Sequence, residues 1–364
     1  VTDYTIVVFP VPDLYFNPTE QTVCEGDICN IQNLSHVTGT TFSWTATPSS
    51  VNLSGYSDGT GNLIAQTIDN NGSTVETVTY NVTPEANGCP PGTTLPVVLT
   101  VNPLPIITNP ITSYSICNNT TTNITIQSDV TGATVAWRAF SSSTNITGFS
   151  DGSGFLIAHT LVNSGYTIDS ITYRMAAIAN SCLGDSTDIN VVVFPVADVL
   201  FTPASQELCS GETTGITLTS NVANTSYSWT ATASSADVTG HSNGIGDLIQ
   251  QTLVNSGYQI QTVTYEFTPT ANGCNGDLWA YIVTVYPVPD VSNSPMLKEI
   301  CNNNNTDIDL TSNVSGTLFT WTATGSSANI TGFSNNPTPA THIGDNLINL
   351  GDINETVTYH ITPH

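Results

Sequence analysis

A frame of cysteine, tryptophan, tyrosine and cysteine recurs along the chain at intervals of 92 or 93 residues. The tryptophan follows the first cysteine by twenty residues, and the second cysteine follows the tyrosine by nine. Units of this length can each bury a core of their own, so the frame predicts a tandem array of separately folded domains. The copies are Cys24, Trp44, Tyr80 and Cys89; Cys117, Trp137, Tyr173 and Cys182; Cys209, Trp229, Tyr265 and Cys274; and Cys301, Trp321 and Tyr359 without a second cysteine.

Within each unit, short runs of alternating apolar residues are separated by turns rich in glycine, asparagine and aspartate. In the third unit Tyr227 and Trp229 share one face, and Val263, Tyr265 and Phe267 alternate in the same way. Six or seven strands in a unit of this length is the pattern of an immunoglobulin-like (Ig-like) β-sandwich. We therefore predict an all-β protein of tandem Ig-like sandwiches, arranged as an elongated rod, with the tryptophans and tyrosines of the frame in the cores.

Proline-containing segments mark the boundaries between units. Each unit closes with alternating apolar residues that run into prolines, as in "YIVTVYPVPD" at 281–290. Such a segment is typical of a last strand followed by a short, stiff linker. The predicted organisation is the last strand of a preceding repeat at 1–10, then Ig-like repeats at 11–103, 104–196, 197–288 and, truncated, 289–364.

The charge balance excludes whole classes of partner. The chain has 28 acidic residues against Arg138, Arg174 and Lys298, which gives a formal net charge of −25. Three basic side chains cannot neutralise the phosphates of a partner. We therefore expect neither a nucleic acid nor an anionic membrane surface as a partner.

The eight cysteines indicate an oxidising, extracellular compartment. The two cysteines of a unit are 65 residues apart in all three complete units, which predicts the disulfides Cys24–Cys89, Cys117–Cys182 and Cys209–Cys274. Metal ligation is the alternative, but the chain has no CxxC pair and no paired histidines. Because both cysteines lie beside turn residues, the bridge is expected to pin one end of the sandwich.

Cys29 and Cys301 are expected to be unpaired. Cys29 stands where the other units have Thr122, Thr214 and Thr306. It is a buried free thiol, an alternative partner for Cys89, or a cross-link to another chain.

The glycine-rich turns raise the question of calcium. Asp58, Asp151 and, in the third unit, Asp247 lie in or beside these turns and could supply carboxylate ligands. Aspartates beside the linkers, such as Asp198 and Asp290, suggest a second cation site. Each loop supplies only one or two carboxylates, and ordinary turn chemistry explains Asp-Gly and Asn-Gly well, so calcium is the less favoured interpretation and no other cofactor is expected.

No enzymatic motif is present in the sequence: it has no G-x-S-x-G elbow, phosphate-binding loop or H-E-x-x-H pair. No apolar run approaches the roughly 20 residues that a membrane helix needs, and no signal peptide is recognisable. We therefore expect a segment of a longer secreted chain, with signal and sorting regions outside it and no membrane insertion.

Several stretches carry a family resemblance. "FTWTAT" (319–324), "ANITGFS" (328–334), "TVTYEFTPTANGC" (262–274) and "VTVYPVPD" (283–290) resemble PKD-like repeats of giant Bacteroidota cell-surface proteins. These proteins include the gliding-motility adhesins exported by the type IX secretion system. The resemblance covers all four units and implies a long filamentous adhesin on the cell surface.

The expected function is therefore non-enzymatic: a stalk segment of a secreted adhesin that contacts an extracellular surface. The alternatives are glycan- or matrix-binding modules of a secreted protein, and a self-assembling filament in which copies of the chain are the partners.

Overall fold

The computed structural model describes residues 2–108 and 112–364, and every regular element in them is a β-strand. This confirms the prediction of an all-β protein of tandem Ig-like sandwiches. The chain divides into two compact units, residues 1–195 and 196–364. Each unit contains two of the four repeats, and we number the repeats 1 to 4 in chain order.

Unit 1 holds twenty-one strands among its described residues. In repeat 1 they are β1 (Tyr15–Asn17), β2 (Gln21–Cys24), β3 (Ile31–Leu34), β4 (Thr41–Pro48), β5 (Leu53–Ser54), β6 (Gly59–Thr60), β7 (Leu63–Ile64), β8 (Asp69–Asn70), β9 (Glu76–Glu85) and β10 (Leu95–Asn102). In repeat 2 they are β11 (Ser113–Cys117), β12 (Thr120–Thr121), β13 (Ile124–Thr125), β14 (Thr134–Ser141), β15 (Ile146–Thr147), β16 (Gly152–Ser153), β17 (Leu156–Ile157), β18 (Thr160–Asn163), β19 (Asp169–Ala179), β20 (Cys182–Leu183) and β21 (Thr187–Phe194).

Unit 2 repeats this order. In repeat 3 the strands are β22 (Leu200–Thr202), β23 (Gln206–Cys209), β24 (Ile216–Thr219), β25 (Ser226–Ala233), β26 (Val238–Thr239), β27 (Gly244–Ile245), β28 (Leu248–Ile249), β29 (Val254–Asn255), β30 (Gln261–Ala271), β31 (Cys274–Asn275) and β32 (Trp279–Tyr286). In repeat 4 they are β33 (Asn304–Asn305), β34 (Ile308–Asp309), β35 (Phe319–Gly325), β36 (Ile330–Thr331), β37 (Asn336–Ala340), β38 (His342–Ile343), β39 (Asn346–Asn349) and β40 (Val357–Pro363).

Each complete repeat is a sandwich whose larger sheet has the same strand order. In repeat 1 that order is β2-β10-β9-β4-β6, and β1-β3-β7 forms the facing sheet. Repeats 2 and 3 have the corresponding orders β11-β21-β19-β14-β16 and β23-β32-β30-β25-β27. The first strand of this sheet is parallel to the last strand, and the other main pairs are antiparallel.

The aromatic residues of the frame lie in the sandwich cores. The four tryptophans of the frame are buried, as are Tyr80, Tyr173 and Tyr265. Tyr359 is only half-buried, because the sequence of repeat 4 does not extend to the strand that covers its equivalents. The indole Nε1 of Trp44 donates to the carbonyl of Ser57, and the two following repeats repeat this bond.

The segment before repeat 1 differs from the prediction. Residues 2–10 carry no strand, although they were expected to be the last strand of a preceding repeat. In repeats 1 to 3 the corresponding strand lies between the first strand and the long strand of its own repeat. Residues 2–10 have neither partner within this sequence, and Val1 lies outside the described residues.

Candidate functional site: the covalent junction between repeats 1 and 2

Strand direction places the two cysteines of one repeat at opposite ends of the sandwich. In repeat 2, Cys117 pairs with Phe194 at the end of β21, whereas Cys182 begins the short strand β20, next to the turn that precedes β21. The eight residues of β21 span about 25 Å at a rise of ~3.3 Å each. A disulfide needs Cα atoms within about 7 Å, so the bridge within one repeat is geometrically excluded.

The predicted pairing of the cysteines is therefore wrong. Cys24 of repeat 1 forms a disulfide with Cys182 of repeat 2, with a Cα–Cα distance of 5.6 Å and a sequence separation of 158 residues. This pairing alone overturns Cys24–Cys89 and Cys117–Cys182. Cys209–Cys274 is wrong as well, because Cys209 is a free, exposed thiol. Cys117 and Cys274 are each disulfide-bonded.

The bridge joins the end of one repeat to the start of the next. Cys24 lies opposite Asn102, the last residue of β10, where the chain leaves repeat 1. The side-chain amide of Asn102 donates to the carbonyl of Asn180 in repeat 2 over 3.3 Å. The N–H of Leu104 in the linker donates to the Glu25 carboxylate over 3.3 Å. Two hydrogen bonds thus reinforce a covalent bond at this junction.

A glycine holds the turn of Cys182 close to the linker. A Cβ on Gly184 would lie 1.8 Å from the carbonyl oxygen of Pro105, so no other residue fits without displacing the linker. Gly92 and Gly276 make the same close approach to Pro12 and Ala197 in repeats 1 and 3. The turn that carries the second cysteine is therefore fixed against the linker at the start of its own repeat.

The free cysteines have different environments. Cys29 is buried, Cys89 is partly exposed, and Cys209 and Cys301 are exposed. The Cys29 thiol donates to the carbonyl of Ile64 and accepts from the N–H of Gln66. Thr214 makes the equivalent bonds with Ile249 and Gln251 in repeat 3. Cys29 thus takes the structural place of a threonine, and burial raises the pKa of its thiol.

A buried tyrosine hydrogen bond recurs beside this position. The hydroxyl of Tyr80 donates to Gln66, and that of Tyr265 donates to Gln251, each over 2.8 Å. In repeat 2 the partner is a histidine: the Tyr173 hydroxyl is 2.8 Å from Nδ1 of His159. Burial lowers the pKa of His159 and raises the pKa of Tyr173. His159 therefore has a structural role in the fold.

We expect His159 to make the stability of the chain pH-dependent in a narrow window. Its pKa is depressed in the folded state, whereas an unfolded histidine binds protons below a pH of about 6.5. The unfolded state then holds more protons, so stability falls as pH drops through the window just below that value. Thermal unfolding of the chain between about pH 7.5 and 5.5 measures this slope.

The matched control is His159→Gln, which installs the residue found at this position in repeats 1 and 3. We expect this variant to show a shallower slope than the natural chain over the same window. Equal slopes would show that other groups cause the pH dependence.

The aspartates of the glycine turns form main-chain hydrogen bonds. Oδ1 of Asp58 accepts from the N–H of Ala46 over 2.8 Å, and Asp151 accepts from Ala139 over 2.9 Å. In repeats 3 and 4 the neutral amides of Asn243 and Asn335 accept the equivalent bond, each over 2.8 Å. Asn243, and not Asp247, is therefore the structural equivalent of Asp58.

These contacts lead to a prediction about calcium. The Asp58→Asn and Asp151→Asn variants should unfold at the same temperature as the natural chain, because asparagine accepts the same bond in repeats 3 and 4. Adding calcium or a chelator should not change that temperature. A chelator that destabilises the natural chain but not these variants would instead assign calcium to the two turns.

The aspartates beside the linkers are held by protein donors. Oδ1 of Asp290 accepts from the hydroxyl of Ser312 and the N–H of Asn313, and Oδ2 accepts from the Asn313 side chain. These bonds, that of Ser312 first, hold the pKa of Asp290 below its usual value. Asp13 and Asp198 make the corresponding contacts with their own loops.

In repeat 2 a hydrogen bond joins the same two segments, but the donor and the acceptor have changed places. Its linker has Ile106 in place of the aspartate, and the N–H of Ile106 donates to the carboxylate of Asp129 over 2.7 Å. The carboxylate has moved to the opposite segment while the two segments stay joined. Within the described residues, no group of three or more His, Cys, Asp or Glu side chains is placed to hold a metal ion.

A buried asparagine was missed by the sequence reasoning. Nδ2 of Asn163 donates to the carbonyls of Thr167 and Val193, and its Oδ1 accepts from the N–H of Gly165. The bond to Val193 ties the segment to the last strand of the repeat. The sequence does carry a signal for it, because the same asparagine recurs 26 to 28 residues after each tryptophan of the frame: Asn70, Asn163, Asn255 and Asn349.

Comparisons with known proteins follow the same four units. The segments 21–105, 114–197, 206–289 and 298–364 each match the family described as the PKD-like domain. No curated protein matches the chain. In the described ranges, no helix is long and apolar enough to cross a membrane.

Solved structures that match the chain include fragments of titin, hemolin and cadherin-23. A three-domain immunoglobulin fragment of titin is 10% identical, with 76% of this chain and 99% of that chain covered and a TM-score of 0.38. The insect immune protein hemolin is 10% identical, with 96% and 98% covered and a TM-score of 0.27. A three-repeat fragment of mouse cadherin-23 is 13% identical, with 76% and 99% covered and a TM-score of 0.31. Similarities this remote carry no argument about the function of this chain.

Proposed function

Because the chain belongs to the family of PKD-like domains, of which it carries four consecutive copies, we propose that it is part of the stalk of a secreted cell-surface adhesin. A stalk transmits force from a surface to a distant contact and needs no reaction of its own. Its repeats must stay joined to their neighbours when the filament is pulled.

The observation that carries this proposal is the disulfide between Cys24 and Cys182. A bridge within one repeat would protect that repeat alone, whereas this bridge joins two successive repeats. When the chain is pulled from its ends, the residues between the two cysteines form a closed loop that cannot be extended. Force then passes from repeat 1 to repeat 2 through the sulfur atoms, even if a sandwich opens.

The disulfides also support an extracellular location, since such bonds persist in oxidising compartments. The finer assignment rests on the resemblance of the repeat sequences to those of gliding adhesins. We propose on this basis that the stalk lies on the surface of a member of the Bacteroidota, is exported by the type IX secretion system, and acts in surface attachment or gliding motility.

Single-molecule pulling of the full chain tests the mechanical role. With the disulfide intact, 158 residues are withheld from the stretched length, which is about 540 Å at ~3.4 Å per residue. We expect a reducing agent to release at least this length, and Cys182→Ser to release part of it without reduction, because the disulfide at Cys117 stays closed in that variant. Equal stretched lengths before and after reduction would rule out a covalent junction that limits extension.

The competing role, a glycan- or matrix-binding module, is tested on the same material. Saturable binding of the chain to a glycan array that persists in the Cys182→Ser variant would favour a binding module over a stalk. A stalk segment should bind none of the glycans above background.

A further inference from the structure

The geometry points to a second covalent junction in unit 2: we propose that Cys209 forms a disulfide with the second-cysteine turn of the repeat that follows it, as Cys24 does with Cys182. In repeat 4 that position would fall nine residues after Tyr359, four residues past His364. The proposal goes beyond the stalk role and does not depend on it, because peptide mapping identifies the paired cysteines without any applied force.

Cys209 occupies the same local structure as Cys24. Each ends a strand that is parallel to the last strand of its repeat, with Cys24 opposite Asn102 and Cys209 opposite Tyr286. Each is followed by a residue whose N–H donates to the carbonyl of that opposite residue over 2.9 Å. Cys24 and Cys209 therefore lie at the end of their repeats where the chain continues into the next one.

The turn after each cysteine is also shared. The N–H of Cys209 donates to the carboxylate of Glu212 over 2.7 Å, and that of Cys24 donates to Asp27 over 3.3 Å. The N–H groups of Asp27 and Glu212 donate back to the carbonyl of their own cysteine. The two turns share these hydrogen bonds, but Cys24 is bonded to the next repeat, whereas Cys209 is a free, exposed thiol.

The turn beside the second cysteine of a repeat, which we call the receiving turn, also has a defined structure. It begins with an asparagine of positive φ, as at Asn87 (56°), Asn180 (49°) and Asn272 (54°). The glycine two or three residues after its cysteine holds the turn against the linker, and Cys182 beside this turn is bonded to the preceding repeat. A repeat that carries this turn after repeat 3 would present its cysteine to Cys209. By the same rule, Cys89 would be the receiving half if a repeat were joined before repeat 1.

Formation of the bond is an oxidation that needs an electron acceptor, and a small-molecule disulfide such as oxidised glutathione supplies it. The Cys209 thiolate attacks the small disulfide and releases one thiol. The receiving cysteine, as thiolate, then attacks Cys209 in this mixed disulfide and displaces the second thiol. Two protein thiols lose two protons and two electrons, and one small disulfide becomes two thiols.

The first test extends the chain by a copy of residues 271–288, which completes repeat 4 with a receiving turn and a last strand. After folding with oxidised glutathione, non-reducing peptide mapping should join Cys209 to the added cysteine. Alkylation of Cys209 without reduction should fall by about tenfold or more relative to the unextended chain. The Cys24–Cys182 peptide in the same sample reports that the oxidation has worked.

Cys301 is the built-in competitor in this experiment, because it is the first cysteine of repeat 4 and stands where Cys117 stands in repeat 2. Pairing of the added cysteine with Cys301, or an added cysteine that stays free while Cys24–Cys182 forms, would overturn the proposal. In the Cys209→Ser version of the extended chain, the added cysteine should remain open to alkylation.

A second variant covers the case in which the extended repeat 4 does not fold. Residues 289–364 are replaced by a second copy of residues 104–196, which carries the receiving turn in its natural repeat. Cys209 should then pair with the copied Cys182, and a free Cys209 in this chain would also refute the proposal.

Discussion

The Cys182→Ser variant is expected to lose about 5 kcal/mol of unfolding free energy from the pair of repeats that the disulfide joins. The estimate follows from the loop that the bond closes, 158 residues, which restricts the unfolded chain by this amount in the chain-entropy model. Denaturant unfolding of the full chain, with and without reducing agent, measures the effect. Reduction of the natural chain should have an effect at least as large, because it opens every disulfide.

Four further variants make the test specific. Cys24→Ser should cost as much as Cys182→Ser, and the double variant should cost no more than either, because all three remove one bond. Cys209→Ser is the matched control, since it alters a free thiol in the same turn and should leave stability unchanged. If Cys89→Ser proved as costly as Cys24→Ser while Cys182→Ser was harmless, the bridge would lie within repeat 1.

This disulfide also shows where sequence reasoning reached its limit. The period of the frame and the alternation of apolar residues were sufficient to predict the fold. Burial of one strand face requires an apolar residue at every second position, so the alternation identifies the strands and the face that enters the core. Spacing could not decide the pairing: cysteines that are 65 residues apart within each repeat also have regular spacings between repeats. Strand direction decides it. The first cysteine ends the first strand of the larger sheet, and the second precedes the last strand, which is parallel to the first.

The turn aspartates show a second limit. Asp247 lies beside a glycine, whereas counting fourteen residues from each tryptophan finds Asp58, Asp151, Asn243 and Asn335. A position that accepts either a carboxylate or an amide is used for its oxygen and not for its charge, because both groups accept a main-chain N–H. An aspartate in a single repeat does not reveal this use, but the change between aspartate and asparagine from repeat to repeat does.

The second large effect is expected from the Asn163→Ala variant, which should destabilise repeat 2 by about 3 kcal/mol. The side chain is 3% exposed and makes three hydrogen bonds to main-chain groups. Alanine removes all three and leaves the carbonyl of Val193 and the N–H of Gly165 without this partner. Each buried main-chain group that loses its partner costs roughly 1–3 kcal/mol, so the loss exceeds that of one ordinary hydrogen bond.

Repeat 4 supplies the matched control. Asn349 donates to the carbonyl of Ile353 and accepts from the N–H of Gly351, the counterparts of two of the three bonds of Asn163. The sequence of repeat 4 has no residue equivalent to Val193, and Asn349 is only half-buried. Water can replace its partners, so Asn349→Ala should cost about 1 kcal/mol or less. Denaturant unfolding of both variants measures the difference, and equal costs would show that the bond to the last strand contributes little. A larger cost at Asn163 would identify this bond as the main tie between the β18 segment and the strand that leads into the next repeat.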